Sequence, residues 1–482
     1  MKWFFLVSEP IFFKEFFWKV AQRAIQEGDE CLLVIDSKIA EYGKMYSDIP
    51  KQVKILSKVD WCIKYYDHTK KNFGDLSWKT LFPDFDRYKT TDFNYKNSVE
   101  MISQLYQFVD FIFQKEKPDV VISGGPSVLF EQIVYYFSQK NKIPHLGLVG
   151  SRLGEDRIDI CDLEHTDSRY QTTFNQLQDK DITEEEKEFS RNYLDAFLSH
   201  KEINHFMKED QKIYFTRFEF FRYYIHKLKR FSKRKGIFFK YISNKKQFKD
   251  FDYRSGIQFR HFIHTPWRDI RRKVNIIFQK SIFRFFNEND KFFLYPLHFQ
   301  PEYSTSVLAT YYADQATTIS NIAFSLPFPY KLYVKEHPSA IGIKPSDFYQ
   351  KLSRIPNVVL ISAFEKVPKL IERSAGVITL NSTVGMEAAL AGKPAYVLGK
   401  VFYMYHPLCR KIENFNELKE KLQIDIAQKP DTANLESINL RFITSYLRNT
   451  IEGSIFYVAS NHNANDYNTI YRELKKVIMR HG

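Results

Sequence analysis

Cysteine is scarce in this chain. The 482 residues include four, at positions 31, 62, 161 and 409, and no pair has Cys-x-x-Cys spacing or another spacing typical of metal ligands. Scattered cysteines of this kind indicate reduced thiols in a cytosolic protein rather than a disulfide-stapled fold.

Long apolar runs are also missing. Glu9, Lys14 and Glu15 interrupt the aromatic N-terminal stretch, well short of the ~20 residues that a membrane span needs. We therefore interpret residues 1–20 as a strand, a turn and a helix rather than a signal peptide. Any membrane contact is expected to be peripheral.

The strand ends also lack an Asp-x-Asp motif of the kind that holds Mg²⁺ or Mn²⁺ against a diphosphate. Asp84 and Asp86 have the right spacing, but Pro83 and the neighbouring aromatic residues predict a loop at this place. The sequence therefore predicts no metal ion and no cofactor.

Apolar material is abundant enough for two domains. Hydrophobic residues make up 44% and aromatic residues 17% of the chain, whose length exceeds that of one compact core. In residues 1–170, strand-like runs alternate with helical patterns, which predicts a parallel, doubly wound sheet. The strand candidates are Trp3–Val7, Cys31–Ile35, Val53–Leu56, Val120–Ser123 and His145–Val149.

A glycine-rich turn follows the fourth of these strands. It contains Gly124, Gly125 and Ser127, and a helical pattern begins directly after it. Glycines serve backbone geometry first, so a structural turn is the favoured interpretation. The start of the helix could also bind an anion or an acceptor hydroxyl, which would place this turn in an acceptor cleft.

In residues 171–288 the alternation of strands and helices stops, and the segment is predicted to be helical, aromatic and basic. Arg222–Lys249 contains eleven Lys or Arg and no Asp or Glu, so much of the net charge of +14 is local. An anionic membrane surface attracts such a segment and is the partner that we favour. A solvated linker is the plain alternative. Nucleic acid is not expected, because no recognised nucleic-acid module accompanies the charge.

Two polar motifs in residues 289–430 come at the ends of strand-like runs. Lys331–Val334 stops at the segment Lys335–Pro338, where proline ends ladder pairing. Gly376–Leu380 ends at Ser382 and Thr383, where helical spacing begins. Ligands bind beyond the carboxyl ends of strands in open α/β sheets, and helix N-termini favour anions. A phosphate held between the two motifs is therefore geometrically reasonable.

These motifs resemble those of the capsule polysaccharide biosynthesis proteins, a family that includes transferases of the sugar acid Kdo. The resemblance rests on Tyr295–Glu302, Ala313–Gln315, Tyr333–Ser339, Asn357–Ser362 and Asn381–Gly399, which follow the family's order and spacing. It implies an α/β, GT-B-like fold in which two Rossmann-like, doubly wound lobes face a cleft. It also implies a CMP-activated sugar acid as donor, a glycan or glycolipid as acceptor, and no metal ion.

The resemblance assigns a role to each region of the chain. Residues 1–170 would form the acceptor lobe, 171–288 a basic helical linker or insertion, and 289–430 the donor lobe. Residues 431–482 would form terminal helices that return to the first lobe. At Asn381 the sequence departs from the Thr or Gly common in the family, so the identity of the donor stays open.

Roles for single residues follow from the same resemblance. His337, in the pair with Pro338, is expected to stabilise charge on the leaving phosphate, by hydrogen bond or as a general acid. Ser382 and Thr383 would hold the phosphate at the helix start. The other expected donor contacts are Lys335 through its charge, Gln300 and Glu302 to base, ribose or sugar, Asn381, and Glu387 to ribose unless it forms a buried salt bridge.

The base that activates the acceptor hydroxyl should come from the first lobe. Glu155 and Asp156 are the candidates, with Glu131 behind them, although acidic residues in such loops are more usually solvated or paired. Two alternatives remain open. One is a GT-B transferase or epimerase that uses a UDP- or GDP-sugar, and the other is a non-catalytic component of polysaccharide assembly or export.

Overall fold

The computed structural model describes residues 1–7, 11–38, 53–71, 73–88, 93–125, 127–153, 156–161, 168–198, 221–223, 225, 239, 242–243, 250–279, 281–455 and 466–481. The chain divides into two compact units. The first contains residues 1–164, 228–264 and 449–482, and the second contains 165–227 and 265–448. Glu155 and most of Arg222–Lys249 lie outside the described residues.

The first unit is built on a seven-stranded sheet of order β13-β6-β5-β4-β1-β2-β3. Its strands are β1 (Lys2–Val7), β2 (Glu30–Ile35), β3 (Lys54–Ser57), β4 (Val120–Ser123), β5 (His145–Gly150), β6 (Arg157–Cys161) and β13 (Thr450–Glu452). The predicted parallel, doubly wound arrangement is confirmed from β3 through β5. At the far edge, however, β6 is antiparallel to both β5 and β13, because a short turn from β5 can only return the chain antiparallel.

Helices cover both faces of this sheet. Alternate residues of β1 enter different cores: Phe5 packs in one apolar cluster and Phe4 in the other. The first cluster includes residues of the helices Ile11–Gln26 and Tyr467–His481, and the second includes residues of Tyr95–Lys115 and Leu129–Lys140. Among the residues that the structure describes, this unit also contains the helices Lys58–Tyr65 and Phe82–Tyr88 and the 3₁₀ turn Trp78–Leu81.

One loop prediction is wrong. Asp84 and Asp86 are buried and lie in the helix Phe82–Tyr88. Asp84 accepts a hydrogen bond at 3.0 Å from the backbone amide of Leu129, at the start of the next helix. The carboxylate thus caps the N-terminus of the helix Leu129–Lys140. This contact favours a helix, with proline in its first turn, at a place where the sequence predicted a loop.

The second unit is built on a parallel sheet of order β12-β11-β10-β7-β8-β9. Its strands are β7 (Phe292–Pro296), β8 (Lys331–Lys335), β9 (Val358–Ile361), β10 (Val377–Thr379), β11 (Ala395–Val397) and β12 (Cys409–Lys411). The helices described in this unit are Ser168–Gln176, Glu184–Leu198, Tyr303–Ser306, Gln315–Ser325, Ser346–Ser353, Val367–Arg373, Thr383–Leu390, Phe415–Ala427 and Leu435–Arg448, with 3₁₀ turns at Asp179–Asp181, Thr310–Tyr312 and Pro338–Ala340. The two sheets bear out the prediction of two Rossmann-like lobes.

The long helix Tyr253–Gln279 contributes residues to both units, because the boundary between the units in the sequence falls between His264 and Thr265. In the described part of the chain, no helix combines the length and the hydropathy needed to cross a bilayer. Cys31, Cys62 and Cys409 are free thiols.

Candidate functional site

The candidate site lies at the carboxyl edge of the second sheet. Strand order reverses between β7 and β10, which are neighbours in space but far apart in sequence. Such a reversal opens a crevice beyond the strand ends, where α/β proteins bind ligands. The polar motifs predicted from the sequence follow β7, β8 and β10, so the fold brings all three to this one edge.

The turn after β10 forms the start of a helix. Ser382 is the N-cap of Thr383–Leu390, and its hydroxyl oxygen accepts from the Val384 amide at 3.2 Å. The Ser382 amide donates to the Thr379 hydroxyl at 3.0 Å. The Tyr403 hydroxyl donates to the Ser382 carbonyl at 2.6 Å. Ser382 and Thr383 therefore stand in a fixed turn at the positive end of the helix dipole, as a phosphate-binding role requires.

The turn after β8 fixes the tautomer of His337. The Ser339 amide donates to His337 Nδ1 at 3.1 Å, so the N-cap ring accepts at this nitrogen and carries its proton on Nε2. Burial lowers the pKa of His337 to about 4. The ring is therefore neutral near pH 7, so of the two roles expected for His337 the hydrogen-bond donor suits it better than the general acid.

A second His-Pro turn provides an internal comparison. The Leu408 amide donates to His406 Nδ1 at 3.2 Å, as Ser339 does to His337. His406 Nε2 is bonded to Asn439 at 3.1 Å. For His337 Nε2, by contrast, the described residues offer no hydrogen-bond partner. In the same local turn, both ring nitrogens of His406 thus have hydrogen-bond partners. His337 has a partner at Nδ1, and its Nε2–H at the sheet edge has none among the described residues.

Glu336 anchors the His337 turn from below, a role that the sequence did not reveal. Its buried carboxylate accepts from the His337 amide at 2.7 Å, from Lys344 Nζ at 3.3 Å and from the Tyr349 hydroxyl. Three donors, one of them charged, make this buried carboxylate a structural centre. The signal in the sequence that could have indicated this role is a glutamate directly after a buried strand.

Lys335 points into the protein. Its Nζ donates to the carbonyls of Ala363 at 3.0 Å and Glu336 at 3.4 Å. Burial lowers its pKa to about 8, against the opposing effect of the carboxylates of Glu336, Glu387 and Glu365. Glu387 is itself buried and close enough to Lys335 to interact electrostatically. The lysine therefore contributes positive potential beneath the site while its own hydrogen bonds go to backbone carbonyls.

His298, at the end of β7, is a further residue that sequence reasoning missed. The Asn381 amide lies 3.2 Å and the Thr379 hydroxyl 3.3 Å from His298 Nε2. An acceptor at Nε2 places the proton on Nδ1, which is buried and has no partner among the described residues. Burial, reinforced by Lys344 and His337, lowers the pKa of His298 to about 3. A neutral histidine thus ties the end of β7 to the turn after β10.

Gln300 and Glu302 occupy the loop after β7, but Gln300 is engaged within the protein. Its Nε2 donates to the Ala313 carbonyl at 2.7 Å, and its Oε1 accepts from Gln315 at 2.7 Å. Glu302 is exposed and accepts from the Ser304 hydroxyl at 2.8 Å. Asn381 donates its side-chain amide to the Ser304 carbonyl. Gln300 therefore shapes the loop, while Glu302 faces solvent beside it.

The glycine turn of the first unit is held by Glu131. The carboxylate of this buried residue accepts from the Ser127 amide at 2.7 Å and the Ser127 hydroxyl at 3.0 Å. Gly125 has φ +111°, in the region that favours glycine, and its amide donates to Ser123 Oγ at 3.2 Å. Glu131 is thus occupied in bracing the turn that follows Gly124, which weakens its candidacy as a base.

Asp156 is exposed in the turn between β5 and β6, at the same carboxyl edge of the first sheet as the glycine turn. Its carbonyl accepts from the Gly453 amide at 2.7 Å, so the backbone is fixed while the carboxylate faces solvent. Neighbouring Glu155 lies outside the described residues. Of the three predicted bases, Asp156 is the one whose described surroundings leave it open to a substrate.

Comparison with known proteins shows similarity to several solved structures and to a family model. Among solved structures, the chain is similar to two KpsC domains of Thermosulfurimonas dismutans. The beta Kdo 2,7 transferase is 12% identical, with 77% of this chain and 89% of that one covered and a TM-score of 0.32. For the beta Kdo 2,4 transferase the values are 12%, 74%, 88% and 0.36. The UDP-GlcNAc 2-epimerase of Methanocaldococcus jannaschii is 11% identical, with 91% and 98% covered and a TM-score of 0.27.

At this distance the structural likenesses do not bear on the reaction. No curated protein sequence matches the chain. Residues 242–435 match the family model described as capsule polysaccharide biosynthesis protein, a range that contains β7 through β12 and the motifs that follow β7, β8 and β10. This region of the chain therefore matches the model of the capsule polysaccharide biosynthesis family, the family that the motifs between Tyr295 and Gly399 predicted.

Proposed function

We propose that the chain is a glycosyltransferase that moves a sugar acid, Kdo or a related ulosonic acid, from a CMP-sugar to a hydroxyl of a glycan or glycolipid. The product would enter a capsule or another surface polysaccharide. The observation that carries the proposal is the pairing of two features at one sheet edge. His337 offers a neutral Nε2–H donor that has no partner among the described residues, and Ser382 and Thr383 begin a helix across β7 from it.

The chemistry of the donor explains why these groups are useful. Transfer breaks the bond between the anomeric carbon and a phosphate oxygen, and the electron pair stays on the oxygen of the departing CMP. Fixed donors aimed at that oxygen stabilise the charge without having to reorganise. His337 Nε2–H is such a donor, and the helix start provides amide groups and hydroxyls for the other phosphate oxygens. Lys335 and Lys344 add positive potential behind the turn.

We further propose that transfer needs no metal ion, because these cationic and dipolar groups can carry the charge of a single phosphate. Asp156 is the base that we favour, with Glu155 as its neighbour in the same turn. The segment Arg222–Lys249 would hold the protein at an anionic membrane surface on the cytoplasmic side. A glycolipid acceptor would make that attachment useful for the reaction.

The test is thermal unfolding with CMP, CDP, UDP and GDP in parallel, with and without Mg²⁺. A ligand at ~100 times its dissociation constant stabilises the folded state by about 2.7 kcal/mol, which a melting curve detects readily. His337→Asn is the informative variant, because asparagine can still accept the Ser339 amide as an N-cap but lacks the ring Nε2–H. His406→Asn is the matched control.

We expect CMP or CDP to stabilise the wild type without Mg²⁺, and His337→Asn to lose that response while keeping its melting temperature. His406→Asn should melt earlier, since it loses the bond to Asn439, yet keep the nucleotide response. A response to UDP or GDP alone would replace the donor in this proposal. No response to any nucleotide would favour a non-catalytic role in polysaccharide assembly or export.

A further inference from the structure

The second half of the helix Tyr253–Gln279, residues 265–279, is fixed to the second unit along one side. Arg272 donates to the carbonyls of Ser339 and Ile341, both at 2.8 Å. Asn275 and Gln279 donate to the carbonyls of Gly342 and Lys344 at 2.9 and 2.8 Å. Ile276 packs with Ile341 and Ala363. These contacts define an inner face and set the rotation of the helix about its axis.

The opposite face is apolar and exposed. Five large side chains on it are between 40% and 72% exposed, and together they form what we call the apolar stripe: Trp267, Ile270, Val274, Ile277 and Phe278. At about 100° per residue they fall within an arc about 100° wide, centred roughly opposite Ile276. The stripe is about 16 Å long. Soluble proteins seldom leave a continuous apolar surface of this kind uncovered, so it indicates an interaction surface.

Cations flank the stripe. Arg271 lies on one side of it and Lys273 on the other, and the exposed Arg268 lies about one turn before Arg271 along the helix. The single acidic residue of this half-helix, Asp269, is buried. A second copy of the chain would bring two cationic borders together and so be repelled. A lipid bilayer with anionic headgroups offers an apolar interior to the stripe and negative charge to the cations beside it.

From this arrangement we infer that the apolar stripe docks into the interface of an anionic lipid bilayer. Trp267 and Phe278, at opposite ends, enter the boundary between headgroups and acyl chains, and Arg271 and Lys273 contact lipid phosphates. The inference extends the proposed function, because a lipid-linked acceptor would be presented at that surface. It differs from attraction through Arg222–Lys249, since it requires insertion of apolar side chains and names their positions.

The test measures partition of the full chain onto vesicles of phosphatidylethanolamine and phosphatidylglycerol in equal parts, with phosphatidylcholine vesicles as the uncharged reference. The test variant is Ile277→Ser with Phe278→Ser. The control is Phe324→Ser with Ile424→Ser, a matched Phe and Ile on the same unit that are 72% and 59% exposed but lie outside the stripe. All four side chains are exposed, so both variants should keep the wild-type melting temperature.

We expect the stripe variant to lose about tenfold or more in partition onto the anionic vesicles, and the control to bind like the wild type. Brominated phosphatidylglycerol should quench part of the tryptophan fluorescence, and Trp267→Phe should abolish that part. Equal binding of stripe variant and control would overturn the inference. So would light scattering that shows a dimer dissolved by the stripe variant without a change in vesicle binding. The nucleotide response should be the same in all these variants, so failure here is separable from failure of the proposed function.

Discussion

Replacing Gly385 with alanine tests whether the phosphate turn is held by close packing against Tyr403. A β-carbon at Gly385 would lie 2.6 Å from the Tyr403 hydroxyl oxygen and 3.0 Å from Thr379 Cγ2. The same hydroxyl donates to the Ser382 carbonyl at 2.6 Å. Burial raises the pKa of Tyr403 well above its usual value, so the hydroxyl keeps its proton and remains a donor. The added methyl group should therefore force the tyrosine away from Ser382 or displace the helix.

The expected magnitude combines two opposed effects. Overpacking a dense core costs about 1–3 kcal/mol, whereas Gly to Ala within a helix gains about 1 kcal/mol. Gly385→Ala should then lose up to about 2 kcal/mol. Tyr403→Phe removes a buried hydrogen bond worth about 1 kcal/mol. In the double variant the clashing oxygen is gone, so its loss should fall short of the sum by about 1–3 kcal/mol, the overpacking cost.

The assay is urea unfolding of wild type, both single variants and the double variant, compared at a constant m-value. The helix-propensity gain occurs on both sides of the cycle and cancels, so the coupling energy reports the contact between the added methyl group and the Tyr403 hydroxyl, together with any hydrogen bond to Ser382 that this contact breaks. The single variants should also weaken stabilisation by CMP, because both disturb the turn at Ser382. Additive losses, within about 0.5 kcal/mol, would refute the packing argument.

Three further changes probe other parts of the second unit. Because the folded pKa of His406 is lowered to about 4, its contribution of about 3 kcal/mol should be present above pH 6.5 and lost as pH falls towards 4. Urea unfolding at pH 7 and pH 5 should show that the stability of His406→Gln depends less on pH than the stability of the wild type. Arg272→Met removes two hydrogen bonds to the turn after His337 and should weaken the CMP response, whereas neighbouring Arg271→Met should not. Glu336→Gln leaves the partly buried Lys344 without its counterion and should cost about 3–5 kcal/mol, and a loss below about 1 kcal/mol in urea unfolding would contradict the structural role of Glu336.

Strands with several consecutive apolar residues could be predicted from the sequence, because parallel strands buried on both faces carry an unmistakable pattern. β1, β4 and β8 are of this kind. β13 was not predicted, since it has three residues between two helices and exists through pairing with β6. Arg157 and Thr450, which share a side-chain hydrogen bond there, are 293 residues apart in the sequence. No local pattern encodes a partner at that distance.

The motifs of the candidate site could be predicted from the sequence, but the hydrogen-bond partners of the individual side chains could not. His298 lies within a quoted motif, but its role depends on a bond to Asn381, 83 residues away. Gln300 was expected to contact the donor, yet both ends of its amide are used by the protein. Glu131 was a candidate base behind Glu155 and Asp156, and its carboxylate accepts hydrogen bonds from the glycine turn. In each case residue type fixed the possible chemistry, and only tertiary contacts decide which partner satisfies it.

The first unit is assembled from three separated stretches of chain, 1–164, 228–264 and 449–482. Translation at about 5–20 residues per second means that β6 leaves the ribosome about 15–60 s before β13 can pair with it. During this interval the growing chain exposes an open sheet edge. The apolar face that contains Trp3 and Phe5 also lacks its packing partner until the helix Tyr467–His481 has been made. Premature termination before residue 449 should therefore yield an aggregation-prone product, and newly made chains should depend on chaperones until synthesis has passed β13.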